Sequence, residues 1–490
     1  MSNGSFGILS WGAYVPRRRL QRKVVLDAVS WFNPALKALA KGERAIANWD
    51  EDSLTMAVAA ARLALADDKS ARIDTILAAS TSFPFADRQN SVVLAEALRV
   101  PRLSLCLDVA GSQRAGTSAL VSALERRSAA GWSLVVAGDR REAKAGSRQE
   151  MLYGDAAAAV VLGQGEPLAV PLGSSSHLND FVDHYREKGR RFDYAWEERW
   201  IRDEGLVPIL TSSIRSALQR SSVPPETITR LCVPAASGNA AATVAKACGI
   251  SPDCVHDGLI GSVGEAGCAH PLLVLIHALE QSKAGDRILV ASFGQGSDAL
   301  IFEATKVIGR APRKSGVLAA IERRAPETNY FRYLALNDLV ELDRGMRAEI
   351  DKGTALSALY RHRDMVLSLT GGLCPQCRTP QFPRSQVCVN PECHAVGEQE
   401  DYCFANAIGA VQSFTADALT FCPDPPQLYG MVQFEGGGRL MADFSDVSIQ
   451  DLRIGLPVEM SFRIKERDAA RGFTRYFWKA VPREIGTEVV

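Results

Sequence analysis

Residues 371–394, GGLCPQCRTPQFPRSQVCVNPECH, divide this chain. Within them Cys374, Cys377, Cys388 and Cys393 stand as C-x2-C-x10-C-x4-C. Two close pairs separated by a short loop let four thiolates converge tetrahedrally on one Zn2+, with no open position for substrate. Four unrelated buried cysteines have no reason to keep that spacing. The expected zinc is structural, and its ribbon separates two regions that read differently.

Upstream, residues 1–305 alternate β-rich runs with helical segments. Thr75–Ala79, Leu103–Leu107, Trp132–Ala137, Ala158–Leu162, Leu231–Pro234 and Arg287–Ser292 read as strands. Ser53–Ala66, Gly116–Arg126 and Pro271–Gln281 carry apolar residues at helical period. Such alternation predicts an α/β sheet with covered faces. Glycine- and alanine-rich segments end in a strand near 155–162 and again near 294–302, the mark of a duplicated half. Residues 306–367 read as a charged helical connector, with Leu339–Lys352 its most regular stretch. Beyond the ribbon, residues 405–482 alternate as short strands with turn signals at Pro425–Pro426 and Gly436–Gly438, which predicts a small antiparallel barrel.

At 490 residues the chain exceeds one ordinary core. Its 56 basic and 56 acidic residues cancel, so the basic stripe that neutralises phosphates is missing and a nucleic-acid partner is not expected. No apolar run reaches the roughly 18 residues of a membrane span. No charged start followed by an apolar stretch marks a signal peptide. The other cysteines, at 106, 232, 248, 254, 268, 403 and 422, are scattered through apolar segments, as reduced thiols of a cytoplasmic protein would be. No P-loop, dinucleotide fingerprint or HExxH motif is present.

Residues 7–20 (GILSWGAYVPRRRL), 42–59 (GERAIANWDEDSLTMAVA), 154–162 (GDAAAAVVL) and 293–303 (FGQGSDALIFE) resemble, in order, the hydroxymethylglutaryl-CoA synthase branch of the thiolase superfamily. The likeness covers essentially all of 1–305. Residues 368–482 resemble the zinc-ribbon plus OB-fold domain that accompanies acyl-CoA thiolases and synthases. The resemblance implies a layered αβαβα core of two similar halves, 1–165 and 166–305, followed by a rubredoxin-like ribbon over 368–398 and an OB-fold over 399–490. It also implies a coenzyme A thioester as ligand, a homodimer, and a partner thiolase as a further binding candidate.

The family's cysteine nucleophile lies in a segment of the type D-x3-A-C-x2-G-T-x-A-L at a helix start, where the dipole lowers its pKa. The matching stretch is Asp108–Leu120, DVAGSQRAGTSAL, and Gln113 falls where the cysteine belongs. An amide cannot form the acyl intermediate. Ser112 is adjacent with no evident base, and Cys106 reads as core. The family's acid/base glutamate falls within Ser80–Ser82, at Thr81. Its histidine falls in Leu231–Asn239, where Pro234 stands, and the asparagine of its G-N-T segment falls on Glu265.

Glu265 reads either as a proton carrier near the tunnel mouth or as a solvated, helix-starting acid. His270, before Pro271, reads as a second candidate or as a structural group. Gln113 reads either as a hydrogen-bond donor to a thioester carbonyl or enolate, or as a disabled nucleophile. Tyr185–Trp200 (YREKGRRFDYAWEERW) reads as a partner surface or a flap, and Arg17–Arg19 as a phosphate contact or a solvated edge. Two functions follow: non-covalent C–C bond chemistry on an acyl-CoA, retro-aldol or decarboxylative, or a scaffold that docks a thiolase.

Overall fold

Strands Ser5–Tyr14 and Ala156–Gly165 pair antiparallel, burying the alanine-rich motif at 156–162. The computed structural model to which they belong describes residues 5–66, 69–127, 131–235, 239–343 and 355–483. These residues form two compact units, one of Met1–Asn48 with Asp52–Leu339 and one of Trp49–Glu51 with Val340–Val490.

In the first unit, Ala156–Gly165 also pairs antiparallel with Trp132–Asp139, which runs parallel to Ile73–Ala79, itself parallel to Leu105–Val109. The second half repeats the pattern. Ala169–Leu178 pairs antiparallel with Gly296–Ala304, which pairs antiparallel with Arg287–Phe293, which runs parallel to Arg230–Cys232. The strands near 155–162 and 294–302 thus occupy equivalent places, as the duplicated segments predict. One register pair, Ile8 with Ala169, joins the two sets of strands.

Helices fill the layers around these strands. Ser53–Ala64 covers the outer face of the first half. Asp52 starts it with a capping box: its carboxylate accepts from Thr55 N while Thr55 Oγ1 accepts from Asp52 N, both at 2.8 Å. Val207–Ser221 and Ala240–Ala247 cover the outer face of the second half. Between the halves run Ala115–Arg126 and His270–Glu280, whose apolar residues join both sheets in one core. Burial all round explains why His270–Glu280 is apolar on every face. A Cβ on Gly116 would stand 2.3 Å from Cys268 O, so the glycine of the G-T motif lets the central layer close up.

Residues 306–339 belong to this unit rather than to a free-standing connector. Strand Ala325–Glu327 runs parallel to Arg18–Gln21, and helix Tyr330–Leu336 packs Tyr333 into a small cluster with Leu20 and Met151. Most of the expected helix Leu339–Lys352 lies outside the described residues.

The second unit holds a three-stranded sheet, Pro380–Gln381, Thr370–Leu373 and Glu400–Cys403, that presents the cysteine loops. Its five-stranded antiparallel sheet runs Arg439–Asp443, Gln427–Phe434, Gly409–Asp417, Pro457–Asp468 and Phe473–Pro482 in spatial order. A bridge from Phe444 to Ala480 brings the two ends of that order together and closes the barrel. Alternate residues Val458, Met460, Phe462 and Ile464 point inward, as period-2 patterning requires.

Candidate active site

Three parallel strands of the first half end at one place, where α/β folds gather their ligands. Ile73–Ala79 leads into Ser80–Ser82, Leu105–Val109 into Gln113, and Trp132–Asp139 into Arg141. The second half contributes Glu265 through a bridge to Tyr153: Glu265 N donates to Leu152 O at 2.7 Å, and Gly154 N donates to Glu265 O at 2.9 Å. Gly154 opens the GDAAAAVVL motif, and a Cβ there would meet Val263 O at 2.0 Å. The motif thus reads as the seat on which Glu265 rests.

Gln113 sits just before the central helix Ala115–Arg126. Its neighbours fix how the amide points, because donors lie on one side and an acceptor on the other. The nitrogen donates to Glu265 Oε1 at 3.0 Å. The oxygen accepts from both terminal nitrogens of Arg141, at 2.7 and 2.8 Å, and from His184 Nε2 at 3.1 Å. The expected nucleophile position, the expected oxyanion position and a histidine are therefore in direct contact.

Arg141 is the hub. Its guanidinium reaches Glu265 Oε1 at 3.2 Å and Asp193 Oδ2 and Tyr153 Oη at 2.7 Å, and lies 3.8 Å from the Tyr153 ring centroid. Burial works to lower its pKa, but Tyr153, Glu265 and Asp193 outweigh burial and hold the charge in place. Asp193 is its counterpart: burial works to raise this carboxyl, and Arg141, with His184 and Arg186, holds it below the usual range. Burial pushes the Tyr153 phenol up, so it stays neutral and donates a hydrogen bond to Asp193 Oδ2 at 3.0 Å.

His184 and Asp193 both come from the hairpin His184–Tyr185 and Tyr194–Ala195, inside or bordering the stretch expected to be a flap or partner surface. The hairpin is neither a helix nor a plain cover. It carries Asp183, His184, Arg186 and Asp193 into the site and turns Tyr185 and Tyr194 outward, each more than half exposed. His184 Nδ1 meets Asp183 Oδ2 at 2.9 Å, and Arg186 donates to Thr81 O. Sequence reading missed His184, Arg141, Asp193 and Tyr153. The usable signal was Asp183–His184, an acid beside one of only seven histidines, at the edge of a charged aromatic stretch.

Thr81 hydrogen-bonds the buried Asp139 carboxylate. Thr81 N donates to Asp139 at 2.8 Å and Thr81 Oγ1 at 3.0 Å, joined by Ser80 Oγ at 2.9 Å, Ser82 Oγ at 2.8 Å and Cys268 N at 2.8 Å. His270 is tied to two backbone groups. Its Nδ1 accepts from Ala266 N at 3.3 Å and its Nε2 faces Gly258 O at 2.6 Å, which assigns the ring proton to Nε2. Burial lowers its pKa, so it stays neutral and occupied. Ser112 Oγ donates to Gly294 O at 2.8 Å. Burial, with Asp108, raises the Cys106 thiol, and burial raises that of Cys268 far more, which removes both as nucleophiles. Arg19 is fully buried with bonds to the Pro16 and Ala320 carbonyls, and Arg18 pairs with Glu327, so neither awaits a phosphate.

In the second unit the four sulfurs of Cys374, Cys377, Cys388 and Cys393 lie within 4.8 Å of one another. Two of the edges measure 3.8 Å (Cys374 to Cys393) and 3.5 Å (Cys377 to Cys388). Tetrahedral thiolates at the usual Zn–S distance of about 2.3 Å stand about 3.8 Å apart, so this donor set fits Zn2+.

Comparison with known proteins agrees with both units. Residues 218–302 match the family described as 3-oxoacyl-[acyl-carrier-protein] synthase III C terminal, and residues 405–463 match the ChsH2 C-terminal OB-fold domain. A hydroxymethylglutaryl-CoA synthase from Aeropyrum pernix is 30% identical over 352 residues, 71% of this chain and 94% of that protein. Another, from Pyrobaculum aerophilum, is 26% identical over 69% of this chain and 98% of its own length. Among solved structures, an HMG-CoA synthase complexed with CoA shares the fold at TM-score 0.57 and 17% identity, over 71% of this chain and 95% of that one. Synthase III from Aquifex aeolicus does so at 0.54 and 19%, over 61% and 100%.

Proposed function

This chain belongs to the hydroxymethylglutaryl-CoA synthase family, and from that premise we propose that its first unit binds an acyl-CoA thioester and makes or breaks a C–C bond without a covalent enzyme intermediate. The observation that supports this is the placement of Gln113. An amide stands at the nucleophile position, yet it is held by Glu265, Arg141 and His184 rather than left idle. A disabled site has no need to keep three polar partners on one side chain.

In the cleavage direction, Glu265 takes the proton of a 3-hydroxyl group. The O–H electrons become a carbonyl, the C–C bond breaks, and its electron pair enters the thioester as an enolate. The buried positive charge of Arg141, held at the Gln113 amide, offsets the charge of that enolate. Decarboxylative chemistry would use the same enolate. We propose a structural Zn2+ for the cysteine cluster, holding the ribbon's loops and supplying no chemistry to this site.

We also propose a homodimer through the sheet edge at Leu105–Val109, where Leu103, Leu105 and Leu107 are 101%, 37% and 40% exposed. An unpaired edge with apolar side chains calls for a partner strand. No helix among the described residues is long and apolar enough to cross a membrane. We place the protein in the cytoplasm on the strength of the seven scattered cysteines outside the cluster, none of them in a disulfide.

The test is to incubate the purified chain with a panel of acyl-CoA thioesters and follow acetyl-CoA release and uptake. Glu265→Ala should cost about 10²–10⁴ in kcat and Gln113→Ala about 10². Turnover that appears only on adding a thiolase, indifferent to both substitutions, would overturn this reading and assign the protein as a scaffold acting through its ribbon and barrel.

A further inference from the structure

Proton balance at the Gln113 site is incomplete with Glu265 alone. Cleavage leaves an enolate that must gain a proton, and Glu265 has just taken one from the opposite end of the bond. The family's histidine position is Pro234, on the loop after strand Arg230–Cys232, and cannot supply it. The other histidines of the first unit are engaged elsewhere. His270 spans two backbone groups, His256 and His277 face each other at 3.0 Å, and His177 lies 3.2 and 3.0 Å from the hydroxyls of Ser212 and Ser216.

We propose that His184, positioned by Asp183, is the proton donor of this site, and that the substrate class is a 3-hydroxyacyl-CoA thioester. The proposal rests on the acyl-CoA reading above. Both ring nitrogens of His184 face acceptors, Asp183 Oδ2 at 2.9 Å and Gln113 Oε1 at 3.1 Å. Hydrogen on both nitrogens satisfies both contacts. In that form the imidazole is a donor beside the position where a thioester oxygen is expected. Its side chain is 18% exposed and that of Glu265 25%, so a substrate entering the site can reach both.

The balanced step is as follows. Glu265 removes the 3-hydroxyl proton, and the C2–C3 bond pair moves into the thioester. C3 leaves as a ketone or aldehyde, and His184 Nε2–H gives its proton to C2, producing an acetyl or 2-alkyl acyl-CoA. The enzyme then holds neutral His184 and protonated Glu265. Proton exchange with solvent restores the starting pair, so no oxidant, reductant or second substrate is consumed. Asp183 holds Nδ1 and orients the ring.

The experiment uses the full chain with 3-hydroxybutyryl-CoA and 3-hydroxy-3-methylbutyryl-CoA as probes, with acetyl-CoA release as the readout. His184→Gln, which keeps an N–H but has no transferable proton, should lower kcat about 10²-fold or more with KM within about threefold. Asp183→Asn should lower kcat about tenfold at unchanged KM. In parallel, imidazole NMR of the wild type with added acetyl-CoA should move the His184 ring signals, a measurement that needs no variant to fold. Full turnover in His184→Gln alongside a dead Glu265→Gln overturns the role of His184 and leaves the acyl-CoA reading standing. Ring signals indifferent to acetyl-CoA overturn it as well. A wild-type chain that cleaves neither thioester overturns the acyl-CoA reading itself, and the donor role with it.

Discussion

The amide nitrogen of Gln113 lies 3.0 Å from Glu265 Oε1, so the position expected of a nucleophile and the position expected of an asparagine meet directly. A cysteine at 113 would offer Glu265 a weak S–H donor, or a thiolate that repels it. An asparagine at 265 would leave Arg141 with Asp193 as its one remaining carboxylate contact. Each replacement makes sense in the presence of the other.

Restoring the nucleophile should therefore give half a reaction. In Gln113→Cys the thiol would sit before a helix N-terminus and against Arg141, both of which favour thiolate. Acetyl-CoA should acylate it, seen by intact mass as one added acetyl group. Condensation should not follow, because Thr81 and Pro234 stand where the sequence resemblance expects the acid/base pair. Detectable condensation product from the single variant would contradict this assignment of roles.

Gly154→Ala tests the seat of Glu265. The new Cβ would press on Val263 O and the Gly264 backbone, neither of which is a flexible side-chain tip. Overpacking of this kind costs about 1–3 kcal/mol. The expected result is a lower melting temperature together with loss of turnover at least as large as that of Glu265→Ala. Normal kcat with reduced stability would show that the bridge does not position the carboxylate.

Glu280 gives the first unit a pH dependence. Burial raises its carboxyl to about 7, against the Val317 and Leu318 amides that it caps at 2.9 and 3.4 Å. A carboxyl raised in the folded state favours folding below its unfolded pKa near 4.5, and that contribution is lost as pH climbs to about 7. Glu280→Gln keeps an acceptor for the amides and removes the titration. Relative to wild type it should gain about 1–2 kcal/mol between pH 5 and pH 8, allowing for partial exposure. Parallel stability curves for the two proteins over that interval would refute the titration.

Cys374→Ser or Cys388→Ser should release zinc and unfold the ribbon while leaving the melting of the first unit unchanged, because metal binding and folding are one event in such sites. Metal analysis and a two-transition melt check both halves of the statement. A ribbon that keeps its fold without metal would refute it.

The cysteine spacing, the alternating strands and the repeated glycine–alanine segments are local patterns, and each was legible in the sequence. Glu265 was placed by motif position, and its partners were not. His184 lies 71 residues from Gln113, on a hairpin with no periodicity of its own, and Arg141 follows a strand as an ordinary loop arginine. Contacts of that kind depend on how three strand ends and a hairpin meet. Thr81 and His270 were singled out by motif position and neighbourhood, and the hydrogen bonds they make could not be read from the sequence. Polar residues near a site also hold it together, and sequence position does not tell a proton carrier from a bracket for Asp139 or a tie between Gly258 and Ala266.

Gln113 belongs to the first half of the duplicated core and Glu265 to the second, and the strands of those halves share a single register pair, Ile8 with Ala169. The hydrogen bond between the two side chains is thus a match between two lineages of one ancestral unit. A chimaera that joined either half to its counterpart from a cysteine-bearing synthase would set a nucleophile beside the wrong acid or an amide beside the wrong asparagine. Inheritance of this chemistry is all or none: both halves must travel together.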